Sequence, residues 1–208
     1  MLLCLGLFSV GCHHTPALVD GGSIQHRGAD VYWSSEDFPL WVFVDDDMDV
    51  EHINSVIASC ELWNHTLGVQ VFEPVVWDFE RTLPRTEGVV AVTISQLGVD
   101  GRATVNGLHR GSYYDGTSRK RASMIWFDED LETASLDTVI THELGHALTL
   151  DHDNNPRSIM HPNVTQMVQP TFIMPEDVVR IQNMVRGTPS LTAAVGVRRL
   201  MLPGGMLL

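Results

Sequence analysis

His142-Glu143-Leu144-Gly145-His146-Ala147-Leu148-Thr149-Leu150-Asp151-His152 is the stretch around which the rest of the chain is arranged. Residues four apart on a helix lie one above the other on the same face. His142 and His146 can therefore present two imidazoles to one ion. Glu143 sits one residue along, so its carboxylate can reach a water on that ion without being a ligand. His152, six residues after His146, is too far along to share the helix face. If the helix ends near Leu148 and the chain turns back, His152 can supply a third imidazole. Three nitrogens with a fourth position left to water is the pattern of a catalytic zinc, not of a closed structural one. A carboxylate from Asp151, Asp153 or Glu176 is the alternative third ligand.

Ser158-Ile159-Met160-His161-Pro162 follows shortly after. HExxHxxxxxH with a Ser-Ile-Met turn at this interval, and Pro162 two residues after the Met, resembles the metzincin zinc endopeptidases, most of all their matrixin branch. The resemblance implies that His142, His146 and His152 are the ligands of one catalytic zinc and that Glu143 is the general base. It also implies that Met160 forms an apolar floor beneath the metal. The expected fold is α+β and zincin-like: a twisted mixed sheet with a long backing helix, an active-site helix, the Met turn and a C-terminal helix. The implied function is a zinc-dependent endopeptidase acting on protein or peptide. A zinc- and peptide-binding surface lipoprotein with little turnover is the alternative. The family carries Gly where this chain has Thr149. That Gly lets the chain leave the helix with a backbone angle that a β-branched residue adopts only with strain.

The 208 residues suit one domain with a sizeable core plus tails. A net charge of −13 and a pI near 5.0 argue against a nucleic-acid partner, which calls for a basic patch. The start, Met1 to Cys12, is a short apolar run ending in Ser9-Val10-Gly11-Cys12. It resembles a bacterial lipoprotein signal, which implies export and membrane attachment through a lipidated Cys12, or else secretion. Of Cys4, Cys12 and Cys60, only Cys60 would remain in a mature domain, so no disulfide framework is expected and Cys60 reads as a core residue. Residues 13–37 read as a linker, 38–187 as the catalytic domain and 188–208 as a tail of unassigned role.

Within the domain, Phe38 to Val44 is apolar on both faces and predicts a central strand. Asp49 can cap a helix running to Leu67, with Gly68 as terminator and Val50, Ile53, Ile57, Cys60 and Trp63 on one stripe. Val69 to Trp77 predicts a strand that Pro74 confines to an edge or bulge. Gly88 to Ser95 and Ala122 to Phe127 predict two more strands, and Ala103 to Leu108 a short edge strand. In the family the edge strand over the cleft pairs with the extended substrate. Ser135 to Leu148 predicts the active-site helix, and Met174-Pro175-Glu176-Asp177 opens a last helix to Arg186.

Phe127-Asp128-Glu129-Asp130 resembles the family's calcium-binding run, and Asp128 matches its first ligand. Calcium at Asp128 competes there with carboxylate capping of the next helix. Trp126 stands where the family has a His that ligates a structural zinc, so no second zinc is expected. The loop from His161 to Pro175 would select the residue after the cut, and Met167, Val168, Phe172 and Ile173 give it an apolar character.

Overall fold

The computed structural model describes residues 31–95, 107–128, 133–163, 166–169 and 171–187. Five strands form one mixed sheet: β1 (Leu40–Asp45), β2 (Phe72–Trp77), β3 (Val89–Ser95), β4 (Gly107–Tyr113) and β5 (Lys120–Asp128). Their order across the sheet is β2-β1-β3-β5-β4. The β1–β2, β1–β3 and β3–β5 pairs are parallel, and β4 runs antiparallel to β5 at one edge. Helices α1 (Val50–Leu67), α2 (Thr133–Ala147) and α3 (Pro175–Val185) complete the domain. The α+β architecture expected from the sequence is present.

The local signals act as read. The Asp49 carboxylate accepts the His52 N–H at 2.9 Å and starts α1. Gly68 ends it with φ 63°, the left-handed angle that glycine adopts without a Cβ penalty. Pro74 lies on β2, an edge strand, where its missing N–H costs least. β1 sits between β2 and β3, as its two apolar faces require.

The core lies between the sheet and the α1/α2 pair. Val42, Val44, Val90, Val92, Ile125 and Phe127 of the strands are buried with Val56, Cys60 and Trp63 of α1 and Leu136, Val139, Ile140 and Leu144 of α2. Two polar ties fix the helices to each other. Trp63 Nε1 donates to Thr141 O at 3.1 Å, and Thr141 Oγ1 donates to Ser59 Oγ at 3.0 Å. Both are buried, so each satisfies a group that would otherwise be costly inside. The α1 stripe faces inward at Cys60 and Trp63, with Ile53 packed against the core; Val50 at its start is instead 72 % exposed, and His52, Val56, Ser59 and Leu67 are buried alongside.

Two boundaries differ from expectation. The edge strand anticipated at Ala103 to Leu108 appears as β4 and runs on to Tyr113; residues 103–106 lie outside the described residues. Residues 31–37, read as the end of a linker, pack on the domain. Tyr32 bridges to Arg119, and Trp33 is buried beside the end of α2. The leader (1–12), most of the linker, the tail (188–208) and Glu129 to Glu132 of the calcium-like run lie outside the described residues.

Candidate metal centre

The helix α2 delivers His142, Glu143 and His146, all buried, to its inner end. The i, i+4 spacing sets the His142 and His146 rings 4.6 Å apart between centroids. His152 comes back to meet them, with centroids 5.4 Å from His142 and 4.8 Å from His146. One ligand nitrogen from each of the three lies within 4.8 Å of the others. His146 Nε2 and His152 Nε2 are 3.2 Å apart.

Backbone carbonyls fix two of the rings. His142 Nδ1 lies 2.7 Å from Ile159 O, and His146 Nδ1 lies 2.8 Å from Leu150 O. A carbonyl only accepts, so each Nδ1 carries a hydrogen and each Nε2 is the ring nitrogen left to face a ligand. This is the outer bond that orients metal-ligating histidines. Desolvation lowers the His152 pKa against the opposing effect of Asp151, which favours the neutral, ligand-competent ring. Three imidazoles converging on one point are a donor set that fits zinc. Neither nearby aspartate joins them: Asp151 Oδ2 faces Arg180 Nη1 at 3.9 Å, and Asp153 Oδ1 accepts from Asn155 N at 3.0 Å.

The turn that returns His152 is a Schellman ending of α2. Leu150 N donates to Gly145 O at 3.0 Å and Thr149 N to His146 O at 2.9 Å. The pattern requires a left-handed residue at position 149, and Thr149 takes φ 72°. The strain foreseen from its branched side chain is present, and the chain adopts the turn regardless.

The Met turn lies below. Met160 and Ile159 are buried, Met160 N donates to Ser158 Oγ at 3.1 Å, and His161 N donates to Ser158 O at 3.1 Å. Asp153 N donates to Met160 O at 3.0 Å, tying the His152 segment to this floor. A β-carbon at Gly145 would overlap Met160 Sδ, so the glycine inside HExxH is a packing requirement.

Burial raises the Glu143 pKa to about 8. Edge strand β4 passes directly over this carboxyl: a β-carbon at Gly107 would sit 2.8 Å from Glu143 Oε1. Gly107 carries no motif, and only the fold reveals its role. The same holds for Lys120 and Trp33, which donate to carbonyls at the end of α2.

A mixed sheet backed by a long helix, with three imidazoles and a buried glutamate above a methionine turn, defines a metzincin-type catalytic domain. The family model described as matrixin matches residues 76–185, and the chain belongs to that family. Over 60 residues it is 43% identical to human (Homo sapiens) matrix metalloproteinase-15, a stretch covering 29% of this chain and 9% of that protein. Over 68 residues it is 41% identical to the macrophage metalloelastase of Oryctolagus cuniculus, covering 29% of this chain and 15% of the relative. The chain thus matches only a small part of the length of these relatives. Among solved structures, metalloproteinase-II from Bacteroides fragilis has a similar fold, with a TM-score of 0.51 and 13% identity over 77% of this chain and 55% of the other.

Proposed function

We propose that the protein is a zinc-dependent endopeptidase. The observation that carries this reading is the convergence of His142, His146 and His152 beside a buried Glu143, with two of the rings already oriented by carbonyls. Zinc bound there would polarise a peptide carbonyl and lower the pKa of a bound water. Glu143 is placed to accept that water's proton and would pass it to the leaving amine as the peptide bond breaks. In metal-free protein its raised pKa keeps the carboxyl protonated at neutral pH; a dication in the imidazole cradle favours the carboxylate. β4 offers an edge whose main-chain groups can pair with an extended peptide, a sequence-tolerant way to hold substrate. Val168 and Phe172, exposed beside the Met turn, support a preference for an apolar residue after the cut.

The test is cleavage of a mixed peptide library by full-length protein, with and without chelator, beside Glu143→Gln. Chelator-sensitive cuts that fall roughly 10²–10⁴-fold in the variant, with zinc still bound, are expected. Undiminished proteolysis by Glu143→Gln would remove the general base from the mechanism. Stoichiometric zinc with no cleavage would favour the binding-protein reading.

Export through a lipoprotein-type leader, with Cys12 lipidated, belongs to the same proposal and rests on the sequence alone. Release of a Cys12→Ser protein from the membrane fraction is the expected result; equal retention would count against it.

A further inference from the structure

Lys120 is the only lysine in the chain, and it is 1 % exposed. Burying such a head group carries a large desolvation cost, so its partners bear on what it does. Its Nζ donates to His146 O at 2.9 Å and to Ala147 O at 3.0 Å, the last carbonyls of α2, and lies 3.2 Å from Nε2 of the buried His109 on β4. A cation is favoured at this end of a helix. Trp33 stands alongside, its ring 5.6 Å from Nζ and its Nε1 donating to the same Ala147 O at 2.8 Å.

Several features of the fold make room for this side chain. Ser112 pairs with Ala122 and Tyr113 with Lys120, so the ladder skips Arg121. Along β5, Phe127, Ile125 and Ser123 face inward, and simple alternation would turn Arg121 in and Lys120 out. The irregularity reverses that, and Arg121 is exposed while Lys120 points into the core. A β-carbon at Gly111 would lie 2.8 Å from Lys120 Cε, so the neighbouring strand is hollowed to admit it.

The turn held by Lys120 is the strained one. Its carbonyls belong to His146 and Ala147, three and two residues before Thr149. Leu150, on the far side of Thr149, supplies the carbonyl that orients the His146 ring, and His152 follows. We propose that Lys120 is a positioning residue for the metal centre. Seated between the His146 and Ala147 carbonyls, it holds shut the turn that Thr149 strains, and so sets where His146 and His152 stand. The inference rests on the reading of these imidazoles as zinc ligands.

The test uses full-length wild type, Lys120→Met, Thr149→Gly and the double variant. Zinc affinity is read by competition with a chromophoric chelator, ligand geometry by the absorption of the cobalt(II)-substituted protein, and stability by melting of the metal-free protein. Lys120→Met should weaken zinc binding about 10–100-fold, as loss of an outer support does elsewhere, and should alter the cobalt spectrum. Adding Thr149→Gly should restore most of both, because glycine takes the turn without strain. Thr149→Gly should also raise the melting temperature more in the Lys120→Met background than in wild type. Zinc affinity unchanged in Lys120→Met, or a double variant no better than Lys120→Met, would overturn the proposal. If Lys120→Met does not fold, the double variant must fold and bind zinc; an unfolded double variant also overturns it. Wild type that binds no zinc would instead defeat the metal-centre reading, and the metal-free melting comparison would still decide whether Lys120 holds the turn.

Discussion

His142 and His152 reach the same point by different means. His142 is buried on a helix, spaced from His146 by the helix repeat, and its Nδ1 is tied to Ile159 O. His152 is exposed, outside any helix, and arrives by a turn with a threonine in a left-handed conformation. One imidazole is preformed by secondary structure, and the other depends on how well a single turn is held. In the proposed metal centre this amounts to a rigid pair of imidazoles and a third whose position is separately adjustable.

Replacing each ligand would sharpen this contrast most. Both His142→Ala and His152→Ala should lose zinc, yet only the first should weaken the metal-free fold. His142→Ala leaves Ile159 O without its donor, a loss of about 1–3 kcal/mol, whereas the exposed His152→Ala should change stability by no more than about 0.5 kcal/mol. Chemical denaturation of the metal-free proteins measures both; equal losses would erase the distinction.

A pH series on the same metal-free protein probes the rigid half. The Glu143 pKa is about 8 in the folded chain and ordinarily 4.5, so folding favours the protonated carboxyl. That contribution is complete below pH 4.5 and disappears as pH rises towards 8. Wild type should lose stability over this interval, on the order of a few kcal/mol, relative to Glu143→Gln. Parallel pH curves for the two proteins would contradict the burial argument.

Gly107→Ala tests the cleft rather than the ligands. Its new methyl would meet Glu143 and Val139, and displacement of a reacting group by about 1 Å can cost roughly 10²-fold in rate. Turnover should drop while zinc stays bound; full activity would mean that β4 yields easily. The smallest effect belongs to Thr149→Gly, which relieves the strain of a branched residue at φ 72°. Stabilisation of about 1 kcal/mol is expected in thermal melts, and a destabilised variant would mean that the side chain's packing outweighs the strain.

What the sequence made legible was local. Helix α1 is bounded by a capping aspartate and a terminating glycine, β2 is confined to an edge by its proline, and the His142/His146 pair is readable from its i, i+4 spacing, while His152 as their partner is implied by the metzincin resemblance. Features set by pairing between distant segments were hidden. Lys120 faces inward only because β4 and β5 slip by one residue near Arg121, and no period in the β5 sequence announces that slip. The continuation of β4 past Leu108 to Tyr113 is not signalled, because Gly107-Leu108-His109-Arg110-Gly111 lacks a clear alternation of apolar and polar residues. The burial of Trp33 depends on a carbonyl at the end of a helix more than a hundred residues away. Along α1 the 3.6-residue pattern holds at Cys60 and Trp63 but not at Val50, which is exposed at the helix start.

The close approach of Met160 to Gly145 has a consequence for oxidative damage. A sulfoxide oxygen on Met160 would need space that Gly145 and the Trp63 ring already border, so a damaged floor could not reseat beneath the HExxH helix. Met160 has no exposed surface while the domain is folded, and oxidant reaches the sulfur only when the core opens. Peroxide inactivation should therefore follow the rate or extent of core opening more than the peroxide concentration alone. Mass-spectrometric oxidation of Met160 would then serve as an internal clock of how often this domain comes apart.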